Sequence, residues 1–419
     1  IEMKKKTMTL EQHHLFREVK RLMTNSEPDK RELKTERRKN VGQPALLARQ
    51  VSDFLKSNYD FRYNLLTEEN EYRSAGESNT PFLPVGKREL NTFCIEAHEQ
   101  GISCWDKDLS RYVNSAYIPG YHPFLLYMEE LPAWDGHDRL EALANRVSSD
   151  PFWVKSFHLW MLALTAQWAG MQDIHANSVA PILISSEQGR QKSTFCRALM
   201  PPALRRYYSD NLKLSAQSNP ERLLAEMGLL NMDEFDKYGA QKMPMLKNLM
   251  QMSSLNICKA YQRNFRNLPR IASFIGTSNR SDLLSDPSGS RRFICIEVTH
   301  VIDCDNMQHD QIYAQLKAEL HEGARYWFTG EEERELQHRN SAFYQTCPAG
   351  EVFHACFRPA KPGEECESLS AANIYKVLKS YNSAAMRGSN PATFGQVLSA
   401  TGAIRKHTKY GNVYLVVRK

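Results

Sequence analysis

The sequence predicts an α/β protein with a parallel sheet at its core. Three observations predict it. Four short apolar runs, VAPILISS, MGLLNMDE, RIASFIGTSN and RRFICIEV, have the length and β-rich composition of buried strands. Helix-forming segments such as STFCRALM alternate with them, as a parallel sheet requires. Two of the runs end in polar residues, Asp233-Glu234 and Ser278-Asn279, where a site would gain its side chains.

Composition sets the limits. The 419 residues allow two or three domains, and 42% hydrophobic with 24% charged residues is ordinary for a soluble globular chain. No apolar run approaches the roughly 20 residues needed to span a bilayer, so no membrane role is expected. IEMKKKTMTLEQHH lacks the apolar core of a signal peptide, and the expected location is the cytoplasm. Residue 1 is Ile1, so the chain reads as a fragment of something longer. Nine cysteines without a CxxC pair point to reduced thiols. The gaps between Cys347, Cys356 and Cys366, beside His354, fit no usual zinc knuckle.

Along the chain, residues 1–44 read as a charged helical linker ending in KRELKTERRKN. Residues 45–150 read as a small, mostly helical domain. It holds ALLARQVSDFLKSN, then GKRELNTFCIEAHEQG closed by Gly101, then a turn at Asp135-Gly136 with Arg139 as an ion-pair partner. Residues 151–356 are the α/β domain, opened by the apolar core helix FWVKSFHLWMLALTAQWAGMQD. A linker-like stretch, 357–368, begins the last domain, 357–419. There LSAANIYKVLKSYN is a one-faced helix, and NPATFGQVLSATG is a second, with Pro391 suited to N1 and Gly402 to C′. AIRKHTKYGNVYLVV reads as two strands around a KYGN turn. Helix, helix, hairpin is the plan of a winged helix. From Leu369 to Lys419 there is no Asp or Glu, a one-sided field suited to a polyanion. Arg405, Lys406 and Lys409 fall on the wing, where phosphate contact is expected.

The first strand leads into SSEQGRQKSTF, which resembles a phosphate-binding loop, G-x-x-x-x-G-K-[ST]. Ser186 and Gln191 stand where that pattern has glycine, while Gly189, Lys192, Ser193 and Thr194 fit. Backbone N–H groups from Ser186, Glu187, Gln188, Gly189, Arg190 and Gln191 through Thr194 would cradle the phosphates of ATP. Lys192 would offset their charge and Ser193 would bind Mg²⁺. Glycines give such a loop torsional freedom, so Gln191 is the departure that matters. Downstream, LLNMDEFD matches a Walker B element: Asp233 would hold Mg²⁺ through water, and Glu234 would polarise the attacking water. Asn279 would sense the γ-phosphate. Either Arg291 or Arg292, in DPSGSRRF, would reach a neighbouring subunit's nucleotide as a finger. These elements follow one another in order, each after a strand-like run.

LISSEQGRQKSTFCRALMP, GLLNMDEFD, KNLMQ, PRIASFIGTSNRSDLLSDPSGSRRF and LPAWDGHDRL together resemble the virulence-associated protein E family, its Bacteroidetes-type branch in particular. The resemblance implies a P-loop ATPase (AAA+ or superfamily 3 helicase-like) core, and a primase-like domain upstream in the full-length chain. It assigns Thr277-Ser278-Asn279 to the sensor motif, with one residue inserted. By the same analogy a β-hairpin between Walker B and the sensor grips DNA. SSLNICKAYQRNFRNLPR lies there, with Lys259 and Arg263 as the hairpin cations and Tyr261 or Phe265 able to stack on bases. Arg266 and Arg270 extend the run of cations. The expected function is an ATP-dependent DNA helicase-like motor, a homo-oligomeric ring on single-stranded or forked DNA, serving replication of a mobile element or prophage. The alternative is a nucleic-acid-binding module whose ATP site is a switch with little or no hydrolysis.

Overall fold

The computed structural model describes residues 43–419, apart from 215–218, 240, 259–264, 285–286, 345–347, 362, 384, 387–388, 391–393 and 410. The charged segment up to position 42 therefore lies outside the described residues.

The N-terminal unit pairs helices with a sheet. Helix Gln43–Asn58 leads directly into strand β1 (Tyr59–Asn64), followed by β2 (Asn70–Ser74) and β3 (Leu83–Pro84). Helices Lys87–Glu99 and Asp106–Val113 follow, and β4 (Gly120–Tyr121) closes the unit. The strand order is β3-β2-β1-β4, antiparallel except for β1 with β4. The span expected to be mostly helical does hold more helix than strand, and this sheet is the addition the sequence reading did not foresee. Its strands are half exposed and interleave charge with aromatics. Tyr59 and Phe61 alternate with Asp60 and Arg62, and they pack with Tyr72 on Phe93 of the helix opposite.

Helices Pro123–Glu130 and Leu140–Asn145 also lay in the expected first domain, but their Phe124, Leu140 and Leu143 join the central core. That core is built around helix Pro151–Trp168. Asp150 caps it by accepting the Phe152 N–H at 2.8 Å, and Pro151 fits the first turn. Thirteen of its eighteen residues are buried. Trp153, Phe157, Trp160 and Trp168 fill the space behind the sheet, each worth roughly 2–3 kcal/mol in burial.

The central sheet has five parallel strands: β5 (Ala180–Ile184), β6 (Tyr208–Ser209), β7 (Leu229–Met232), β10 (Ser273–Ser278) and β11 (Phe293–Glu297). Their order is β11-β5-β10-β7-β6. The four longer strands match the four apolar runs. β10 thus lies between β5 and β7, which the chain order does not announce. The approach is close at Gly276, where a Cβ would meet Ile182 Cδ1 at 2.8 Å and the Met232 carbonyl at 3.2 Å. Between β7 and β10, strands β8 (Ser254–Cys258) and β9 (Phe265–Pro269) form a separate antiparallel ribbon.

The C-terminal unit has its own core. Helix Pro348–Cys356 was expected to end the α/β domain, yet Ala349, Val352 and Phe353 pack here with Ile374, Leu378, Phe394 and Val416. The expected linker over 357–368 holds strand β12 (Phe357–Pro359) and the start of β13 (Glu367–Ser370). Both pair antiparallel with β15 (Gly411–Arg418), as does β14 (Ile404–Thr408). Helices Ala371–Tyr381 and Phe394–Ala400 complete the unit, with Gly402 at φ +80 after the second. Pro391 lies outside the described residues.

Candidate nucleotide-binding site

The site lies where β5, β10 and β7 end side by side. Residues 185–191 leave β5 and enter the helix Lys192–Ala198. The loop is tied at both ends. Ser185 N–H donates to the Ser278 carbonyl at 3.1 Å, and Arg190's carbonyl accepts from Ile302 N–H at 3.2 Å. Two of its residues take the left-handed backbone: Gly189 at φ +78, and Gln191 at φ 62, ψ 21. Gln191 thus holds the torsion for which glycine is preferred, with its side chain exposed and no capping hydrogen bond from it. Ser186, the other departure, has no positive φ, so a glycine is not required there.

The cleft, about 350 Å³, is lined by Gln188, Gly189, Arg190, Gln191, Lys192, Ser193, Thr194, Asp233, Glu234, Thr277 and Asn279. Ser186 and Glu187 lie outside that lining, and the Glu187 carboxylate pairs with Arg190 at 2.5 Å. Lys192 is buried at 8% exposure; its ammonium donates to Asn279 Oδ1 at 3.0 Å and to the Ser185 carbonyl at 3.3 Å. Both acceptors are neutral. Burial pushes the Lys192 pKa below its ordinary value, and the Asp233 carboxylate opposes that shift. Ser193 Oγ donates to Asp233 Oδ1 at 2.9 Å, and Thr277 Oγ1 donates to the same oxygen. Glu234 also has a left-handed backbone, φ 52, ψ 53, and its carboxylate pairs with Lys237. Asp236 accepts from Ser278 Oγ at 2.9 Å.

The sequence reading placed Thr277 in the sensor motif but gave it no role beside Asp233. Its signal was a hydroxyl residue inside the Thr-Ser-Asn ending of β10, and its importance comes from β10 lying beside β7.

Residues 128–345 match the virulence-associated protein E-like domain, and that span is more than half of the chain. The chain belongs to this family. Residues 346–416 match a second family, a domain of unknown function described from a B. Theta gene (DUF3874). Among solved structures, the chain is similar to the apo structure of the NrS-1 C terminal region (305-718). The identity is 12%, with 89% of this chain and 99% of that one covered, at a TM-score of 0.43. An A form apo structure of the same region gives 12% identity, the same coverage and a TM-score of 0.44. No curated protein matches the chain.

In this virulence-associated protein E-like chain, Arg291 and Arg292 stand apart from the cleft. They end a 3-10 turn, Pro287–Arg292, that feeds the start of β11. β11 runs parallel to β5 with Phe293 opposite Ala180 and Glu297 opposite Ile184. The arginines therefore sit at the far end of the strands from the loop, about 13 Å of strand away at ~3.3 Å per residue. Arg291 pairs with Glu333 at 3.0 Å.

Lys259, Tyr261 and Arg263 lie outside the described residues, between β8 and β9, whose register runs from Ser254 opposite Pro269 to Cys258 opposite Phe265. Arg270 corrects the run of hairpin cations. It is wholly buried, and its guanidinium donates to the carbonyls of Met252 (2.5 Å), Ala272 (2.6 Å), Asn177 (3.0 Å) and Met250 (3.1 Å). Burial pushes its pKa down to about 9, so it stays charged at neutral pH as a clamp at the ribbon's base. In the C-terminal unit, Arg405 and Lys406 are exposed on β14, and Lys409 lies at the turn into β15. His158 hydrogen-bonds Glu319 at 2.6 Å, and Arg139 pairs with Asp135 at 2.6 Å as expected. Among the described residues, no helix is long and apolar enough to cross a membrane.

Proposed function

We propose that this chain is an ATP-driven, helicase-like motor that works on single-stranded or forked DNA as a ring of identical subunits, in the replication of a mobile element or prophage. One observation carries the reading. Lys192 and Ser193 open the helix after the β5 loop, Asp233 follows β7, and Thr277 and Asn279 lie at the end of β10; Lys192 bonds Asn279, Ser193 and Thr277 both bond Asp233, and all five line a single cleft. That placement supports a P-loop reading, in which β10, carrying the proposed sensor residue, lies between β5 and β7, which lead to the Walker-like residues.

The residues fit ATP and Mg²⁺. Lys192 is a buried cation whose two partners are neutral, so an incoming phosphate displaces no carboxylate from it. Ser193 and Asp233, 2.9 Å apart, would hold Mg²⁺ together, Asp233 through water. When bound, the metal offsets the charge of the β- and γ-phosphates. Glu234 must leave Lys237 to polarise a water. Arg291 or Arg292 would serve a neighbouring subunit, since both are at the end of the strands away from their own cleft. The ribbon β8–β9, with Lys259, Tyr261 and Arg263 between its strands, would meet DNA. The C-terminal unit would be a winged helix whose Arg405, Lys406 and Lys409 contact phosphates.

A second reading, an ATP switch with slow turnover, is favoured by the same cleft. Gln191 and Glu234 both hold left-handed backbone, and Glu234 is engaged by Lys237. The deciding experiment is ATP hydrolysis with and without single-stranded DNA, beside Glu234→Gln. DNA-stimulated turnover that Glu234→Gln abolishes is the expected result. ATP binding without turnover establishes the switch instead, and absence of ATP binding removes both.

A further inference from the structure

We propose that Cys94, His98 and Cys104, in the N-terminal unit, form a binding site for zinc. Nothing in the ATP-driven reading involves these residues.

Their positions follow from the fold. Cys94 and His98 are four residues apart on helix Lys87–Glu99 and share one face. Gly101, at φ +76, stops the helix; its N–H donates to the His98 carbonyl at 2.8 Å and Ile102 N–H donates to the Ala97 carbonyl at 2.9 Å. The chain turns back there, which brings the buried Cys104 onto the face that carries the other two. One ligand atom from each residue lies within 4.8 Å of the other two, and this is the one such group of three among the described residues.

The dimensions and chemistry suit zinc. Cys94 Sγ and His98 Nε2 are 3.9 Å apart. Tetrahedral zinc with Zn–S near 2.3 Å and Zn–N near 2.0 Å places such a pair about 3.5 Å apart. A cavity of about 340 Å³, lined by His98, Gly101, Ile102, Ser103, Cys104 and Trp105, opens onto two of the three ligands and leaves room for a fourth from solvent. Two sulfurs and an imidazole suit a soft ion, whereas Mg²⁺ and Ca²⁺ prefer oxygen. Two thiolates also neutralise a divalent charge in a partly buried place.

The balance is simple. Each zinc ion taken up releases two thiol protons, and no electron moves. His98 Nε2 lies 2.6 Å from the Cys104 carbonyl; binding gives up that hydrogen bond, and the ring proton resides on Nδ1. The bound ion would staple the end of the helix to the loop after it.

The test uses the full chain, reduced and stripped of metal, titrated with Co²⁺ and then Zn²⁺. Expected are one equivalent bound, a thiolate-to-cobalt charge-transfer band that zinc abolishes, and a rise in thermal midpoint with zinc. Cys94→Ser and His98→Ala should each weaken binding at least tenfold, and His98→Ala should remove the zinc-dependent rise. His98 is exposed, so this variant should fold even if Cys104→Ser does not. Absence of the band in the wild-type chain overturns the site. Unchanged affinity in both Cys94→Ser and His98→Ala overturns it too, by showing that other thiols bind the ion. ATP binding is measured on the same samples, and its presence or loss bears only on the nucleotide cleft.

Discussion

Replacing Gln191 by glycine should stabilise the protein and leave its affinity for ATP nearly unchanged. Gln191 holds φ 62, ψ 21, so the fold itself bears the cost of that backbone. An L-residue in this region costs about 1–2 kcal/mol relative to glycine. Glycine returns about 0.4–1 kcal/mol of freedom to the unfolded chain. The difference is a net gain of about 0.5–1 kcal/mol. For a domain of 150–250 residues, that raises the thermal midpoint by about 1–4 °C. The assay is calorimetry of Gln191→Gly against Gln191→Ala, with ATP affinity measured for both. Alanine keeps the strained torsion and loses only an exposed side chain, so its midpoint should not rise. An ATP affinity within twofold of wild type is expected for the glycine variant. A glycine variant no more stable than the alanine one would refute the claim that this torsion is strained. A large gain in affinity would show instead that the loop adopts the torsion only on binding.

The other predictions concern the site and the joints of the fold. Lys192→Ala should abolish ATP binding measured by calorimetry, since it removes the cleft's buried cation. Arg291→Ala and Arg292→Ala should both keep ATP binding, while the one that is the finger should lose about 10³-fold or more in turnover. Glu71 is wholly buried and accepts from Arg62, Tyr121, Asn64 and Arg206, joining the N-terminal unit to the central core. Glu71→Ala should cost about 2–3 kcal/mol in urea unfolding, at the low end for a broken buried pair because the arginines remain partly solvated. The half-buried His122 ring accepts the Leu125 N–H, and desolvation pushes its pKa down to about 4. The unfolded chain, with a histidine pKa near 6.5, binds that proton first, so stability should fall as pH drops from about 6.5 towards 4. Denaturation midpoints across that window should fall less in His122→Asn.

What could be read beforehand depended on burial. β5, β7 and β10 are buried along their whole length, so they appear in the sequence as continuous apolar runs, while β11, at the sheet edge, is buried at Phe293 and Ile294. The N-terminal sheet is half exposed. Its alternation of Tyr59, Phe61 and Tyr63 with polar residues was present, but it was masked by neighbouring helical patterns. The Walker-like residues were legible because their chemistry is local to strand ends. The bond from Thr277 to Asp233 was not, since it depends on two strands being neighbours that are more than forty residues apart in sequence. Arg270 misled for the opposite reason. A cation in a basic stretch reads as surface, and only the assembled fold shows the four carbonyls that enclose it.

The register of β11 on β5 has a kinetic consequence. It separates Arg291 and Arg292 from the loop that follows β5, so in the proposed ring one chain would hold halves of two different catalytic centres. Turnover per chain would then depend on concentration, climbing as neighbours associate and levelling once every interface is made. Two inactive variants, one lacking Lys192 and the other lacking the finger arginine, would regain part of the activity on mixing. In some of the mixed interfaces an intact cleft would face an intact arginine.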